Sequence, residues 1–200
     1  MTGTVPLDAV GSGVRISLQD SRGGTLICRA TAPQERRLHH GIRRRVFVEE
    51  QGVFAASDLD SYDARDDVIH AIAIYNGIAA GTVRLFPIDR DTGLWQGDRL
   101  AVLPQFRVHG LGGPLVRFAV AVAAAAGGRQ MLAHVQLANV RFFERLGWRR
   151  SAAVETYVGR QHQPMTIALP PASGDDVVRL EPSPHTRTGA IGSPASYVSR

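Results

Sequence analysis

The stretch that most constrains this chain is residues 100–120, LAVLPQFRVHGLGGPLVRFAV. An apolar strand pattern ends near Pro104. A turn then carries Arg107, His109, Gly110, Gly112 and Gly113, and an apolar helix starts at once, with Pro114 suited to its first turn. Glycines let a backbone approach a ligand closely, and a new helix offers free N–H groups at the positive end of its dipole. The segment reads as a strand–turn–helix unit whose backbone can cradle a phosphate. The dinucleotide fingerprint G-x-G-x-x-G fails, because Leu115 stands where the third glycine belongs. On the glycines alone, a tight turn without a ligand is an equal reading.

The flanking patterns set the topology. Thr25–Ala30 reads as a strand, and residues 34–51 as a helix with Leu38, Ile42, Val46 and Phe47 on one face. Arg36, Arg37, Arg43, Arg44 and Arg45 take the other faces, mostly as solvated surface. An acidic loop holds Asp58, Asp60, Asp63, Asp66 and Asp67. Residues 68–75 and 78–87 read as strands joined by a type I′ turn at Asn76-Gly77. A strand over 93–103, a helix over 111–126, a strand over 130–135 and a short helix over 138–146 ending at Gly147 follow. Two closing strands run over 151–158 and 163–169. The order β-α-β-β-β-α-β-α-β-β, with one βαβ crossover, is neither a Rossmann repeat nor a sandwich.

Composition excludes several chemistries. The 200 residues fit one domain, and all 23 basic side chains are Arg. Without Lys there is no Walker A loop, no pyridoxal Schiff base and no kinase strand lysine. Cys28 is the only cysteine, so an intrachain disulfide and a Cys-rich zinc site are excluded, which fits a reducing cytoplasm. The acidic loop fails as a calcium loop, since Tyr62 takes the third ligand position and the glycine is missing, and no metal is expected. The longest apolar run, 118–126, is far short of the ~20 residues of a membrane span. The segments 1–24 and 171–200 each sum to zero charge, so the net charge of +5 sits in 25–170. The ends lack core-forming patterns and read as flexible flanks of a domain spanning 25–170.

The spacing Arg107-x-x-Gly110-x-Gly112, straight after an apolar strand, resembles the pyrophosphate loop of the GNAT N-acetyltransferases. Asn139 and the run Phe142-Phe143-Glu144-Arg145-Leu146-Gly147-Trp148 resemble the family's late helix. Arg43, Val46, Phe47, Glu50 and Gln51, then Asp58 and Asp60, His70, and finally Tyr157, His162 and Met165 resemble the ElaA-like branch in order and spacing. The segments WQGDRLAV and HVQLANVRFFERLGW also resemble a bacterial group found in nitrilase gene clusters and associated with nitrogen starvation.

The resemblance covers about residues 25–170 and implies an α/β (α+β) fold. Its sheet would be mixed and mostly antiparallel, of about seven strands, with helices on both faces and a splay at the cofactor cleft. It implies acetyl-CoA as acyl donor and a small-molecule amine as acceptor, with no membrane partner. A homodimer is compatible with it, since dimers are common in the family. Val102, Leu103, Arg107, Val108, His109, Gly110, Leu111, Gly112, Gly113 and Asn139 would bind the cofactor, the Val102 and Leu103 backbone polarising the thioester. Glu50, His70, His162 and Tyr157 would carry acid–base work, with His134 a further base candidate, and Asp58, Asp60 and Gln136 would receive the acceptor. Phe143 stands where many members carry a Tyr that protonates the departing sulfur. Three rival readings remain: an acyl-homoserine-lactone-synthase-like enzyme, a non-catalytic acyl-CoA-binding module, and nucleic-acid binding through the Arg36–Arg45 helix. The last lacks aromatic stacking residues beside its arginines and ranks lowest, so no nucleic-acid partner is expected.

Overall fold

The computed structural model describes residues 15–20 and 23–171. Strands β1 (Arg15–Asp20), β2 (Gly23–Arg29), β3 (Ile69–Tyr75), β4 (Ile78–Asp89) and β5 (Leu94–Val102) run antiparallel in sequence order. Strand β6 (Gln130–Gln136) joins β5 in parallel, and β9 (Arg160–Ala168) returns antiparallel on β6. Two short strands, β7 (Arg149–Arg150) and β8 (Glu155–Tyr157), pair with β9. The mixed, mostly antiparallel sheet expected from the sequence is therefore present. Residues 15–20 correct the sequence expectation: they lie in the flank read as loose, yet pair along β2 from Arg15↔Cys28 to Asp20↔Gly23. A six-residue edge strand carries too short a pattern to stand out from its polar surroundings. Of the ends read as flexible, 1–24 and 171–200, residues 1–14, 21–22 and 172–200 lie outside the described residues.

The period of two in β3 and β4 separates two faces. Ala71, Ala73, Val83 and Leu85 point to one side and pack with Leu115, Phe118 and Val122 of α2 (Gly112–Ala125) in the main core. Gly81 allows that approach, since a Cβ there would stand 2.9 Å from Leu115 Cδ1. The other face carries α1 (Pro33–Arg43), whose continuation places Ile42, Val46 and Phe47 against Ala101 and Leu103. Leu38, expected on the buried stripe, is exposed instead. The helix also changes pitch: a π-helical turn, Arg44–Glu50, replaces the straight α-helix expected to residue 51. The expected hairpin at Asn76-Gly77 is confirmed by φ values of 48° and 81°, the conformation a type I′ turn requires. Among the described residues, no helix is long and apolar enough to cross a membrane.

Candidate active site

The site starts with a fault in the sheet. Strands β5 and β6 pair only from Leu94↔Gln130 to Gln96↔Leu132, although β5 runs on to Val102 and β6 to Gln136. The cause lies in β5. Between Thr82↔Ala101 and Arg84↔Asp98, β4 advances two residues while β5 advances three, and Arg99 takes a φ of 52°. This bulge twists β5 away from β6 and opens a splay. A cavity of about 130 Å³ fills the gap, roughly ten times the space one water needs. Nothing in the local composition marks Arg99 as the bulged residue, and the sequence reading missed it.

Side chains from the far end of the sheet converge on this cavity. Tyr157 stacks on His134 with centroids 4.4 Å apart and meets His162 edge-on at 5.5 Å, and all three line the cavity. His162 Nδ1 lies 2.9 Å from the Arg160 carbonyl oxygen, which can only accept, so Nδ1 carries the hydrogen. In the neutral ring Nε2 then keeps its lone pair. His134 Nδ1 lies 2.6 Å from Glu155 Oε1, a partner that the sequence reading did not single out. Gln136 also lines the cavity, and its amide donates to Gln51 Oε1 at 3.1 Å. Asn139 and Phe143 complete this wall, with Phe143 edge-on to Trp148 at 5.3 Å. The Trp148 indole N–H is buried there without a hydrogen-bond partner.

Three expected site residues lie elsewhere. Asp58, Asp60 and His70 do not line the cavity. Both aspartates belong to an ion-pair layer on the α1 face. Asp58 accepts from Arg43 Nε at 2.7 Å, and Asp60 takes Arg84 Nη1 at 2.6 Å and Arg99 Nη2 at 2.9 Å. Asp63 and Asp98 complete the layer, with Asp63 bound by Arg43 and Arg84 and Asp98 by Arg84. Arg43 and Arg84 are fully buried. That corrects the reading of Arg43 as solvated helix surface, and Arg84 was not anticipated at all. Burial works against both guanidinium charges, but the carboxylates overcome it and raise both pKa values. Burial likewise works against the Asp60 and Asp63 charges, and Arg84 and Arg43 outweigh it and lower them. The layer reaches the cavity only through Asp98 and Arg99, which line it. Strand register explains its placement: His70 faces Arg84, and Arg84 faces Asp98, in one row across β3, β4 and β5.

Glu50 too lies outside the cavity lining, and its Oε2 takes Arg107 Nη2 at 2.6 Å beside the glycine turn. That turn is a 3₁₀ helix, Pro104–His109, closed by Gly110 at φ 68°. Not every expected backbone donor is free. The Gly110 N–H bonds the Arg107 carbonyl at 3.1 Å, and the Leu103 N–H bonds Ala80 at 2.9 Å within the sheet. The Val102 carbonyl takes Arg107 Nε at 3.1 Å. Val108 is 81% exposed, His109 stacks on Tyr75 at 4.2 Å, and the Leu111 side chain is buried in the core. The first bond of α2 runs from Leu115 N–H to Leu111 O at 3.1 Å, so the N–H groups of Gly112 and Gly113 precede its hydrogen-bonded turns. Arg117, which the sequence reading passed over inside an apolar helix, folds back onto this end. Its guanidinium nitrogens lie 3.5 Å from the point a Gly113 Cβ would occupy. Its Nε is buried without a hydrogen-bond partner, and burial lowers its pKa.

Comparison with known proteins agrees with this geometry. A Bacillus subtilis (strain 168) protein assigned as an acetyltransferase is 28% identical over 137 residues, 68% of this chain and 91% of its own length. The crystal structure of a Lactobacillus plantarum protein assigned as an N-acetyltransferase superposes with a TM-score of 0.65 at 27% identity, covering 72% of this chain and 98% of that one. Escherichia coli ElaA shares the fold, with a TM-score of 0.61 at 18% identity over 71% of this chain and 97% of its own. The sequence profile described as "Acetyltransferase (GNAT) family" matches residues 36–148, more than half of the chain, and with the splayed sheet and the glycine turn before α2 it establishes that the chain belongs to the GNAT acetyltransferase family.

Proposed function

We propose that the protein is an N-acetyltransferase that moves an acetyl group from acetyl-CoA to a small-molecule amine. The observation that carries this reading is the splay between β5 and β6, which opens on a cavity holding Tyr157 between two imidazoles. The cofactor's polyanionic end fits what lies at the start of α2. Gly112 and Gly113 offer N–H groups at a positive dipole end, and Arg117 offers a guanidinium that no carboxylate among the described residues neutralises. When bound, acetyl-CoA supplies a thioester carbonyl and a thiol leaving group of ordinary pKa near ~8.5.

The chain's own residues then divide the work. An alkyl amine has a pKa near ~10 and must be neutral to attack, so a base is needed. His162 fills that role through Nε2, since its Nδ1 hydrogen is committed to Arg160 O. Tyr157 holds the proton for the departing sulfur, because Phe143 on the cavity wall has none to give. The Glu155 carboxylate lies beside His134, and the His134 ring, stacked on Tyr157, orients it. The Trp148 indole N–H, which has no hydrogen-bond partner, and the Gln136 side chain, whose amide donates to Gln51 Oε1, lie on the wall that would receive the acceptor. Asp58 and Asp60 act at one remove: they hold Arg99, whose guanidinium carbon sits 5.0 Å over the Phe54 ring at the cavity. With both carboxylates spent on arginine, the cavity offers no free anion of theirs to a cationic amine. The ElaA-like resemblance rests on the first-helix motif together with Asp58, Asp60, His70, Tyr157, His162 and Met165, and within the helix Arg43, Val46 and Phe47 are buried structural residues.

Thiol release from acetyl-CoA over a panel of amines, S-adenosylmethionine included, tests this reading. A primary amine acetylated by the wild type, and at least ~10²-fold more slowly by His162→Gln at unchanged melting temperature, supports it. Release with no amine on the panel, or equal rates in the two proteins, contradicts it.

A further inference from the structure

Three imidazoles meet on the α1 face of the sheet, outside the cavity. His39 and His40 come from α1 and His70 is the second residue of β3, and each offers a ring nitrogen within 4.8 Å of the others. His39 and His70 are 0% and 4% exposed. His39 Nδ1, His40 Nε2 and His70 Nδ1 are all shielded from solvent and have no hydrogen-bond partner. A polar atom left so is costly, and native structures hold few of them. Three in one place point to a shared electron-pair acceptor.

We propose that His39, His40 and His70 form a binding site for a late first-row divalent cation, zinc foremost, which clips α1 to β3. The ring geometry fits. The centroids are 4.7, 5.3 and 5.5 Å apart with interplanar angles of 70° to 86°. Three imidazoles on one tetrahedral ion, with metal–nitrogen bonds of about 2.1 Å, have centroids about 5 Å apart. His39 Nε2 lies 3.4 Å from the Val83 carbonyl oxygen. That contact needs the hydrogen on Nε2 and leaves the Nδ1 lone pair for a metal, the usual outer support of a ligating histidine.

The positive charges around the cluster are balanced by carboxylates, and Arg43 beside it is paired with Asp58 and Asp63. In the surrounding layer three guanidinium groups (Arg43, Arg84, Arg99) meet four carboxylates (Asp58, Asp60, Asp63, Asp98), leaving one negative charge in excess. Asp63 Oδ1 is the near face of that charge, 3.9 Å from His40 Nε2 and 4.0 Å from His70 Nδ1. Its oxygens already serve Arg43 and Arg84, so it compensates charge from outside while water fills the fourth position. The His40 side chain, 32% exposed, gives the ion its way in. The segment the clip closes carries Phe47, Gln51 and Phe54 to the cavity, so the ion stiffens one wall of the acetyl-transfer site without touching it.

The test uses untagged full-length protein stripped with a chelator. Zn²⁺ should bind one per chain by titration calorimetry and raise the melting temperature. Co²⁺ should give the intense visible bands of a four-coordinate nitrogen–oxygen site. His40→Gln, at a partly exposed position, should melt like the wild type without metal and bind Zn²⁺ at least tenfold more weakly, whereas His134→Gln should bind normally. The proposal is overturned by the absence of one-to-one binding, by equal affinity in His40→Gln, by loss of binding in His134→Gln, or by a six-coordinate cobalt spectrum in the wild type. The calorimetry and cobalt readings are made on the wild type and decide the matter even where a variant fails to fold.

Discussion

Replacing Arg84 with Met should unfold this protein more readily than any surface arginine change. Arg84 is 0% exposed and its five polar contacts are all to carboxylate oxygens: Asp98 at 2.8 and 2.6 Å, Asp60 at 2.6 and 2.8 Å, and Asp63 at 2.9 Å. Methionine fills most of the stem's volume, so little of the loss comes from a cavity. What remains is uncompensated charge. The side chains of Asp63 and Asp98 are only 8% and 13% exposed, while Asp60 at 31% is partly screened by water and counts for less. Removing one partner of a buried pair costs about 3–5 kcal/mol. For a chain of this size that corresponds to a melting temperature lower by about 6–20 °C. Urea unfolding of wild type and Arg84→Met measures it, with Arg90→Met as reference. Arg90 pairs with Asp67 at an exposed position, and its loss should cost less than about 1 kcal/mol. Adding Asp98→Asn to Arg84→Met should recover part of the loss, since it removes one stranded charge. If Arg84→Met costs no more than Arg90→Met, the layer is solvated and the argument from burial is wrong.

Other residues give separate expectations. Arg117→Met should raise the KM for acetyl-CoA by about tenfold or more while leaving stability equal or higher, because it removes a half-buried cation without a carboxylate partner; an unchanged KM would remove Arg117 from the cofactor site. Phe143→Tyr should hold or raise turnover if the new hydroxyl reaches the departing sulfur, whereas a loss of about 1–3 kcal/mol in stability with no gain in rate would place position 143 in the core.

Much of the fold was legible because its signals are local. The Asn76-Gly77 hairpin, the glycine turn into α2 and the stop at Gly147 each depend on a few adjacent residues and a required backbone conformation. The splay lies between the two strands of the βαβ crossover, β5 and β6, and His162, Tyr157, Gln136 and Asn139 are among the residues lining the cavity there. What stayed hidden is long-range. Arg43 reads as one more arginine on a basic helix, and only the fold brings it to Asp58 and Asp63, 15 and 20 residues on. Arg84 in a strand cannot announce that register sets His70 on one side and Asp98 on the other. The three-histidine cluster is hidden for the same reason, since His70 is brought to α1 by strand order rather than by spacing. The bulge at Arg99 and the π turn at Arg44–Glu50 are departures from a regular period, and periodicity is what sequence reading relies on.

The central claim is that the turn before α2 holds the anionic end of acetyl-CoA. Gly110 is the sharpest place to test it, because a side chain there meets no atom within 4 Å, and its φ of 68° is one that Asn and Asp tolerate better than other residues. Gly110→Asn and Gly110→Asp differ almost only in charge. Titration calorimetry of the three proteins with acetyl-CoA should show one-to-one binding by the wild type, modestly weaker binding by Gly110→Asn, and binding at least tenfold weaker again by Gly110→Asp, with the gap between the two variants narrowing at high salt. Equal affinity in Gly110→Asn and Gly110→Asp would contradict the account.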